Sequence, residues 1–76
     1  MNTNLTSPEL RRIDFTDDNL LSVSLSDGRT VIVPLDKFSP IAQLNSEQRQ
    51  DFEIIDGQYL SFLAIDEVYS TEELTN

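Results

Sequence analysis

An Asp-Gly pair between two alternating apolar runs constrains the fold of this chain more than any other feature of its sequence. Asp27-Gly28 follows a run in which every second residue is apolar, and a similar run comes after it. Glycine readily adopts the positive φ that tight hairpin turns require, so an Asp-Gly pair in this position is typical of a β-hairpin. Asp56-Gly57 repeats the signal later in the chain and predicts a second hairpin.

The residues around the first pair predict a three-stranded antiparallel meander. Another alternating run comes before the polar turn cluster at residues 16–19, and period-two alternation indicates strands with one buried face. Pro34 has no N–H, so we expect it at the end of a strand or on a sheet edge. The residues that this pattern directs inward are Ile13, Phe15, Leu21, Val23, Leu25, Val31, Val33 and Leu35.

The centre of the chain predicts a short helical connection. Ser39-Pro40 has the form of a helix start, with serine as the N-cap and proline at the first helical position, where no N–H is needed. Asn45-Ser46 opens a second helical stretch that we expect to reach about Phe52. Helices this short are marginal alone and must pack against the sheet.

The C-terminal part predicts a second hairpin that joins the sheet, followed by a short helix. Ser70 and Glu73 have the spacing of a capping box, which predicts the start of that helix. The fold class is therefore α+β: a flexible lead-in over residues 1–9, then one small domain over residues 10–76. The further core residues expected are Phe38, Ile41, Leu44, Phe52, Ile54, Leu60, Phe62 and Ile65.

Composition excludes several kinds of chemistry. The 76 residues include no cysteine and no histidine, which removes disulfides, thiolate nucleophiles and the commonest metal ligands. The carboxylate pairs Asp17-Asp18 and Asp66-Glu67 are adjacent in sequence, so on a strand they point to opposite faces and cannot flank one bond. Asp14, Thr16 and Asp18 alternate as in a calcium loop, but no glycine bend and no Glu follow. We expect no catalytic residues, no metal site and no cofactor.

Charge is distributed unevenly along the chain. The formal net charge is -9, and residues 51–76 contain seven acidic residues and no basic residue. Direct binding to nucleic acid is disfavoured, because that interaction depends on Lys and Arg. Attraction to a basic protein surface is favoured, although the charge can also serve only to keep a small domain in solution. The N-terminus has no signal-peptide pattern and no apolar run is long enough to span a membrane, so we expect a cytoplasmic location without membrane contact.

The order of motifs resembles a bacterial family known as domain of unknown function 2442, from about residue 10 to residue 74. The most specific part runs from Ser26-Asp27-Gly28-Arg29 to Pro34-Leu35. The other matching pieces are Phe15-Thr16-Asp17-Asp18, Leu20-Leu21, Phe38, Ser46-Glu47-Gln48-Arg49, Phe52 with Ile54-Ile55 and Gly57, and Ile65-Asp66-Glu67.

The resemblance implies a small α+β domain and assigns no activity. Some members are fused to helix-turn-helix regions, and many are encoded beside other small proteins in toxin–antitoxin-like arrangements; we expect no such appended region within these 76 residues. The chain departs from the family pattern where members carry His-Trp-Pro and it has Ser61-Phe62-Leu63, and where they carry Asp-Glu-Asp and it has Asp66-Glu67-Val68. Because Phe62 alternates in phase with Leu60, we interpret it as a packing residue.

The leading hypothesis is a small acidic module that binds a basic partner protein and masks or regulates it, with an antitoxin as its best-defined form. Tyrosine is enriched in binding hot spots, and the two tyrosines are the expected aromatic contacts on the surface. Two alternatives remain open: a self-associating structural or sensory domain that pairs through a sheet edge, and a phage-type inhibitor that mimics nucleic-acid charge. The expected partner-binding residues are Tyr59, Asp66, Glu67, Tyr69, Glu72 and Glu73.

Overall fold

A computed structural model describes residues 8–75 and places them in six strands and three short α-helices. Residues 1–7, most of the lead-in expected over residues 1–9, lie outside the described residues. The strands are β1 (Leu10–Asp17), β2 (Leu20–Leu25), β3 (Thr30–Pro34), β4 (Phe52–Ile55), β5 (Tyr59–Phe62) and β6 (Val68–Ser70). The helices are α1 (Ser39–Ala42), α2 (Ser46–Gln50) and α3 (Thr71–Thr75), and a 3-10 turn spans Leu35–Lys37. The α+β class is confirmed.

The first sheet is the predicted meander, with strand order β1-β2-β3 and antiparallel pairing throughout. Gly28 has a φ of +92° in the turn between β2 and β3, where its N–H donates to the Leu25 carbonyl. Pro34 ends β3, which among the described residues pairs with β2 alone, as expected for a residue without an N–H. A register shift between Leu10 and Arg12 is a β-bulge, and it allows both Leu10 and Ile13 to face the core.

The second hairpin is confirmed, but the expectation that it joins the first sheet is wrong. β4 and β5 pair with β6 in a separate sheet of order β4-β5-β6. Asp56 and Gly57 have φ values of +54° and +68°, as a type I′ turn requires, and the Gln58 N–H donates to the Ile55 carbonyl. Each hairpin has one apolar face, and stacking the two sheets buries both faces in one core.

The shared core lies between the two sheets and is closed by the helical connection and α3. Phe62 of the second sheet is 1% exposed, and its ring centroid lies 6.2 Å from that of Phe15 on β1. Phe15, Val31, Phe38, Ile54 and Ile65 are partly buried against this core. Its buried members are Leu10, Ile13, Leu21, Val23, Leu25, Val33, Leu35, Ile41, Leu44, Leu60, Phe62, Tyr69 and Leu74.

Two expectations for the helical connection are wrong. Phe52 was expected in the core at the end of a helix, but α2 ends at Gln50 and Phe52 is the first residue of β4, 37% exposed. Ser39 was expected as the N-cap of α1, but Phe38 occupies that position and no side chain caps the helix. α2 has a full capping box instead: the Asn45 side chain accepts from the Gln48 N–H, and the Gln48 side chain accepts from the Asn45 N–H.

Arg49 fastens α2 to the first sheet. Its guanidinium donates to the carbonyl oxygens of Leu44 and Ala42, and to that of Asp18 in the β1–β2 turn at 3.0 Å. The same group lies 4.8 Å from the centre of the Phe15 ring, within the range of a cation–π contact. The side chain therefore supplies charge-assisted donors to helix-end carbonyls that no helical N–H can reach.

Candidate binding surface

The acidic residues of the second half lie on the surface, as a partner-binding role requires. All seven carboxylates in residues 51–75 belong to exposed residues, and no lysine or arginine occurs among them. Asp66 and Glu67 lie in the connection between β5 and β6, and Glu72 and Glu73 form the first turn of α3. The four predicted acidic residues therefore lie just before and just after β6 along the chain.

Glu73 also has a structural role. Its carboxylate accepts from the Ser70 N–H at 2.9 Å, and the Ser70 hydroxyl accepts from the Glu73 N–H at 3.1 Å. This reciprocal pair is the predicted capping box, and it fixes the start of α3 directly after β6. One Glu73 oxygen is thus engaged within the chain, whereas Glu72 extends toward a neighbouring groove.

Tyr69 is not a surface residue, so the expectation for its position is wrong. It is 4% exposed, and its ring meets that of Phe38 edge-on with centroids 5.6 Å apart. The position pairs with Leu60, which directs it to the buried face of β6. Burial, together with the nearby carboxylates of Glu67 and Glu73, raises the pKa of the Tyr69 phenol above its usual value. Among the described residues its hydroxyl has no hydrogen-bond partner.

Tyr59 lies where the sequence predicts, on the outer face of the second sheet. It is 41% exposed and stands directly opposite Ile55 on one side and Ser70 on the other. Val68 lies on the same face, opposite Ser61 and diagonal to Tyr59, and is 51% exposed. We call Ile55, Tyr59 and Val68 the Tyr59 patch. Glu53 is on the same face and opposite Ser61, so a carboxylate borders the patch.

Sequence reasoning missed Ile55 and Val68 as part of this surface. Val68-Tyr69-Ser70 was not predicted as a strand, so its phase relative to Tyr59 could not be assigned. A signal was nevertheless present, because a β-branched residue and an aromatic residue stand side by side after the turn-forming Asp66. Treating these residues as a third strand would have placed Val68 and Tyr69 on opposite faces.

A groove of about 650 Å³ lies beside the patch, where the turns of the two sheets meet; we call it the turn groove. Tyr59 and Ser70 line it from the second sheet, and Glu9 and Asp27 line it from the first. Its volume is within the range of ordinary ligand sites, about 300–1,000 Å³. The other lining residues are Pro8, Ser26, Gly57, Gln58, Thr71 and Glu72.

Hydrogen bonds across the turn groove hold its walls together. The Leu10 N–H donates to the Gly57 carbonyl at 2.7 Å, and the Ser26 N–H donates to the Glu9 carbonyl at 2.8 Å. Asp27 is also engaged: its carboxylate accepts from the backbone N–H and the Nε of Arg29, which lowers the pKa of Asp27. The groove is therefore built from both sheets, and several of its polar groups are already satisfied internally.

A second, smaller depression of about 380 Å³ lies beside Arg49 and the β1–β2 turn. Its wall includes Asp14, Asp17 and Asp18, which face the solvent. Among residues 8–75, no group of three His, Cys, Asp or Glu side chains is arranged to hold a metal ion. No helix within the same range is long and apolar enough to cross a membrane.

Comparison with known proteins gives one match. A family model described as "Protein of unknown function (DUF2442)" matches residues 10–76, nearly the whole chain. Neither the curated proteins nor the solved structures that were compared gave a match.

Proposed function

The chain belongs to the family described as protein of unknown function (DUF2442), and from that premise we propose that it is a non-catalytic module that binds a basic protein. Binding would mask or regulate the partner, and an antitoxin is the best-defined form of such a protein. The proposal assigns the protein to the cytoplasm, where a masking protein and a newly made partner can meet.

The observation that carries the proposal is the unbalanced charge of the second half. Residues 51–75, which form the second sheet and α3, contain seven exposed carboxylates and no base, whereas on the first sheet Arg12 approaches Asp14 at 4.0 Å and Arg29 pairs with Asp27 at 2.8 Å. A surface of one sign accelerates the association of an oppositely charged protein. Because exposed charges are screened beyond about 8 Å at physiological salt, this binding should weaken as salt is raised.

The first test replaces Asp66 and Glu67 together by lysine. The matched control replaces Asp18 and Asp36, two exposed acids of the first half, by lysine, so that the net charge changes equally. The tagged proteins are used to recover partners from native lysate at low and high salt, with mass spectrometry as the readout. We expect the wild type and the control to retain a stoichiometric basic protein that elutes with salt, and D66K/E67K to lose it. Equal recovery by the two variants would refute the role of this region.

Self-association is a second candidate, favoured by the edge of the first sheet. Within residues 8–75, β3 pairs with no strand other than β2, and its Ile32 side chain is 52% exposed. An unpaired edge can add a strand from a second copy. Ile32→Pro removes a backbone donor from that edge, so it would abolish such a dimer. A sharp monomer mass for the wild type at micromolar concentration, measured by sedimentation equilibrium, would exclude this candidate.

A further inference from the structure

We propose that the Tyr59 patch and the turn groove form one continuous docking surface for a basic, amphipathic segment of a partner protein. Aliphatic side chains of that segment would cover the patch, and an arginine side chain would enter the groove. This inference rests on the proposed function, and it names the surface and the chemistry of the segment that binds there.

The first step is the apolar character of the patch. Ile55 and Tyr59 are directly opposite each other, and Val68 is diagonal to Tyr59, so the three residues share the outer face; Tyr59 and Val68 are exposed and Ile55 is half-buried. On the outer face of the first sheet, Ser22 and Ser24 occupy the central strand, and Ile32, which is 52% exposed, lies opposite Ser22. Contiguous apolar surface can mark an interaction site, and tyrosine is enriched in binding hot spots.

The second step is the border of the patch. Glu53 is exposed and shares the outer face with Ile55. Glu67 is also exposed and immediately precedes Val68, but its carboxylate is near Tyr69, whose side chain is on the other face. A segment that covers the patch therefore places a flanking residue next to the Glu53 carboxylate, which favours Lys or Arg at that position.

The third step is the groove, which continues the patch through Tyr59 and Ser70. Its serine and threonine hydroxyls are engaged: Ser26 accepts from the Glu9 N–H, Ser70 accepts from the Glu73 N–H, and Thr71 donates to the Gln58 carbonyl. Asp27 is held by Arg29. Among the residues that line the groove, these contacts leave the carboxylates of Glu9 and Glu72 as the charged acceptors for an incoming cation.

The carboxylates of the turn groove and the Tyr59 ring that lines it together favour an arginine side chain as the group that binds there. A guanidinium can bond a carboxylate with two parallel N–H groups and can stack on a tyrosine ring, whereas an ammonium is a compact charge. A nucleic acid, an anionic membrane or a second copy of this chain, with its net charge of -9, would bring negative charge against negative charge. A basic segment of a different protein is the partner that satisfies both the patch and the groove.

The test uses two synthetic peptides of eight residues, one alternating Arg and Val and the other alternating Arg and Ser. Both carry the same charge, so only the patch can distinguish them. Each is titrated into the full ¹⁵N-labelled chain and followed by NMR. We expect the Arg-Val peptide to bind about ten-fold more tightly, since burial of apolar side chains is what separates the two. The largest shifts should fall on the amides of Gly57, Tyr59 and Val68.

Matched variants locate the site. Val68→Ser should weaken binding of the Arg-Val peptide about three- to ten-fold, because part of the patch is lost. Ile32→Ser on the first sheet, where isoleucine is 52% exposed against 51% for Val68, should leave it unchanged. Glu72→Gln should weaken both peptides to the same extent. A urea midpoint equal to that of the wild type checks each fold, and Val68→Thr serves if the serine variant is unstable.

The outcome also separates this inference from the proposed function. Equal affinity for the two peptides, or equal losses in Val68→Ser and Ile32→Ser, would overturn the docking surface. If D66K/E67K nevertheless loses a basic partner that the wild type retains, the proposed function is supported and only the proposed docking surface is wrong. Recovery of no basic partner, combined with patch-dependent binding of the Arg-Val peptide, would instead retain the surface and remove the masking role.

Discussion

The two sheets of this protein have similar inner faces and different outer faces. Both are antiparallel and three-stranded, and both contribute apolar side chains to one core. On the outer face of the first sheet, Ser22 and Ser24 lie at the centre, Ile32 lies opposite Ser22 and is 52% exposed, and Arg12 approaches Asp14. On the outer face of the second sheet lie Tyr59 and Val68, with Glu53 on the same face, and residues 51–75 contain no basic residue.

The difference shows that burial alone does not explain the composition of the second sheet. The inner faces must be apolar because stacking them provides the core of a very small domain. The outer faces have no such requirement, and serine satisfies the first one. Tyr59 and Val68, at 41% and 51% exposure, lie on the same face as Ile55, whereas Ile32 of the first sheet, at 52% exposure, lies opposite Ser22; the proposed binding role would account for this grouping.

The largest effect is expected from removing the Phe62 side chain, which lies between the two sheets. Phe62→Ala should destabilise the protein by about 3–5 kcal/mol, because it opens a cavity between Phe15 and Phe52. Phe52→Ala, at a residue that is 37% exposed, should cost clearly less. Urea unfolding followed both by circular dichroism and by tyrosine fluorescence measures both variants.

Coincidence of the two unfolding signals also decides whether the sheets form one cooperative unit. We expect a single transition in the wild type and in Phe62→Leu, which keeps most of the volume and should cost about 1–2 kcal/mol. Two separated transitions would mean that the two sheets fold independently. The difference between their outer faces would then be a difference between two separate folding units.

Arg49 tests the first sheet alone. Arg49→Ala should cost about 2–3 kcal/mol, because three carbonyl groups lose a charged donor and Phe15 loses its cation. Arg49→Lys should recover only part of this, since one ammonium cannot reproduce the planar set of donors. Arg12→Ala, at an exposed pair of 4.0 Å, should remain within about 0.5 kcal/mol of the wild type. A similar loss of stability in Arg49→Ala and Arg12→Ala would show that the contacts of Arg49 between α2 and the first sheet do not stabilise the fold.

A substitution at Tyr69 tests the buried face of the second sheet, and we expect it to increase the stability of the protein. Tyr69→Phe removes a buried hydroxyl that has no partner among the described residues, so stability should rise by about 1 kcal/mol. The raised pKa adds a pH dependence. Because the folded phenol holds its proton more tightly than the unfolded one, this contribution is present below pH 10.0 and is lost as the pH rises through the folded pKa. The phenylalanine variant should lack that alkaline loss; a lower stability at neutral pH would contradict the assignment.

The smallest effect is expected at Asp27, in the turn of the first sheet. The backbone N–H of Arg29, and then its guanidinium, hold the pKa of the carboxyl below 3.8. The carboxylate therefore favours the folded state above that value, and the contribution is lost as the pH falls through the folded pKa. An NMR titration of the side-chain carboxyl should show a midpoint below 3.8 in the wild type and a higher one in Arg29→Gln. Identical midpoints would show that the guanidinium contributes nothing.

Local signals predicted the elements that depend on near neighbours. Asp27-Gly28 and Asp56-Gly57 fixed both hairpins, and the spacing of Ser70 and Glu73 predicted the cap of α3. Each of these depends on contacts within a few positions along the chain. Phe62 was also assigned correctly to the core, because it alternates in phase with Leu60.

Elements that depend on distant partners were predicted poorly. β6 is only three residues long and exists because it pairs with β5, so Tyr69 was expected on the surface although it is buried. The separation into two sheets has the same origin, because a hairpin's own sequence does not state whether it extends a sheet or stacks on one. Of the proposed docking surface, the sequence could identify Tyr59 and the carboxylates, but not the side chains beside them.

The bond between the Leu10 N–H and the Gly57 carbonyl has a consequence for the order of folding. Each hairpin joins neighbours in sequence, so it can close rapidly, whereas this bond closes a loop of 47 positions. Thr71 attaches to Gln58 beside the same turn, so both ends of the domain meet there. Folding should therefore end at this junction, and variants that weaken it should accelerate unfolding while leaving the rate of folding nearly unchanged.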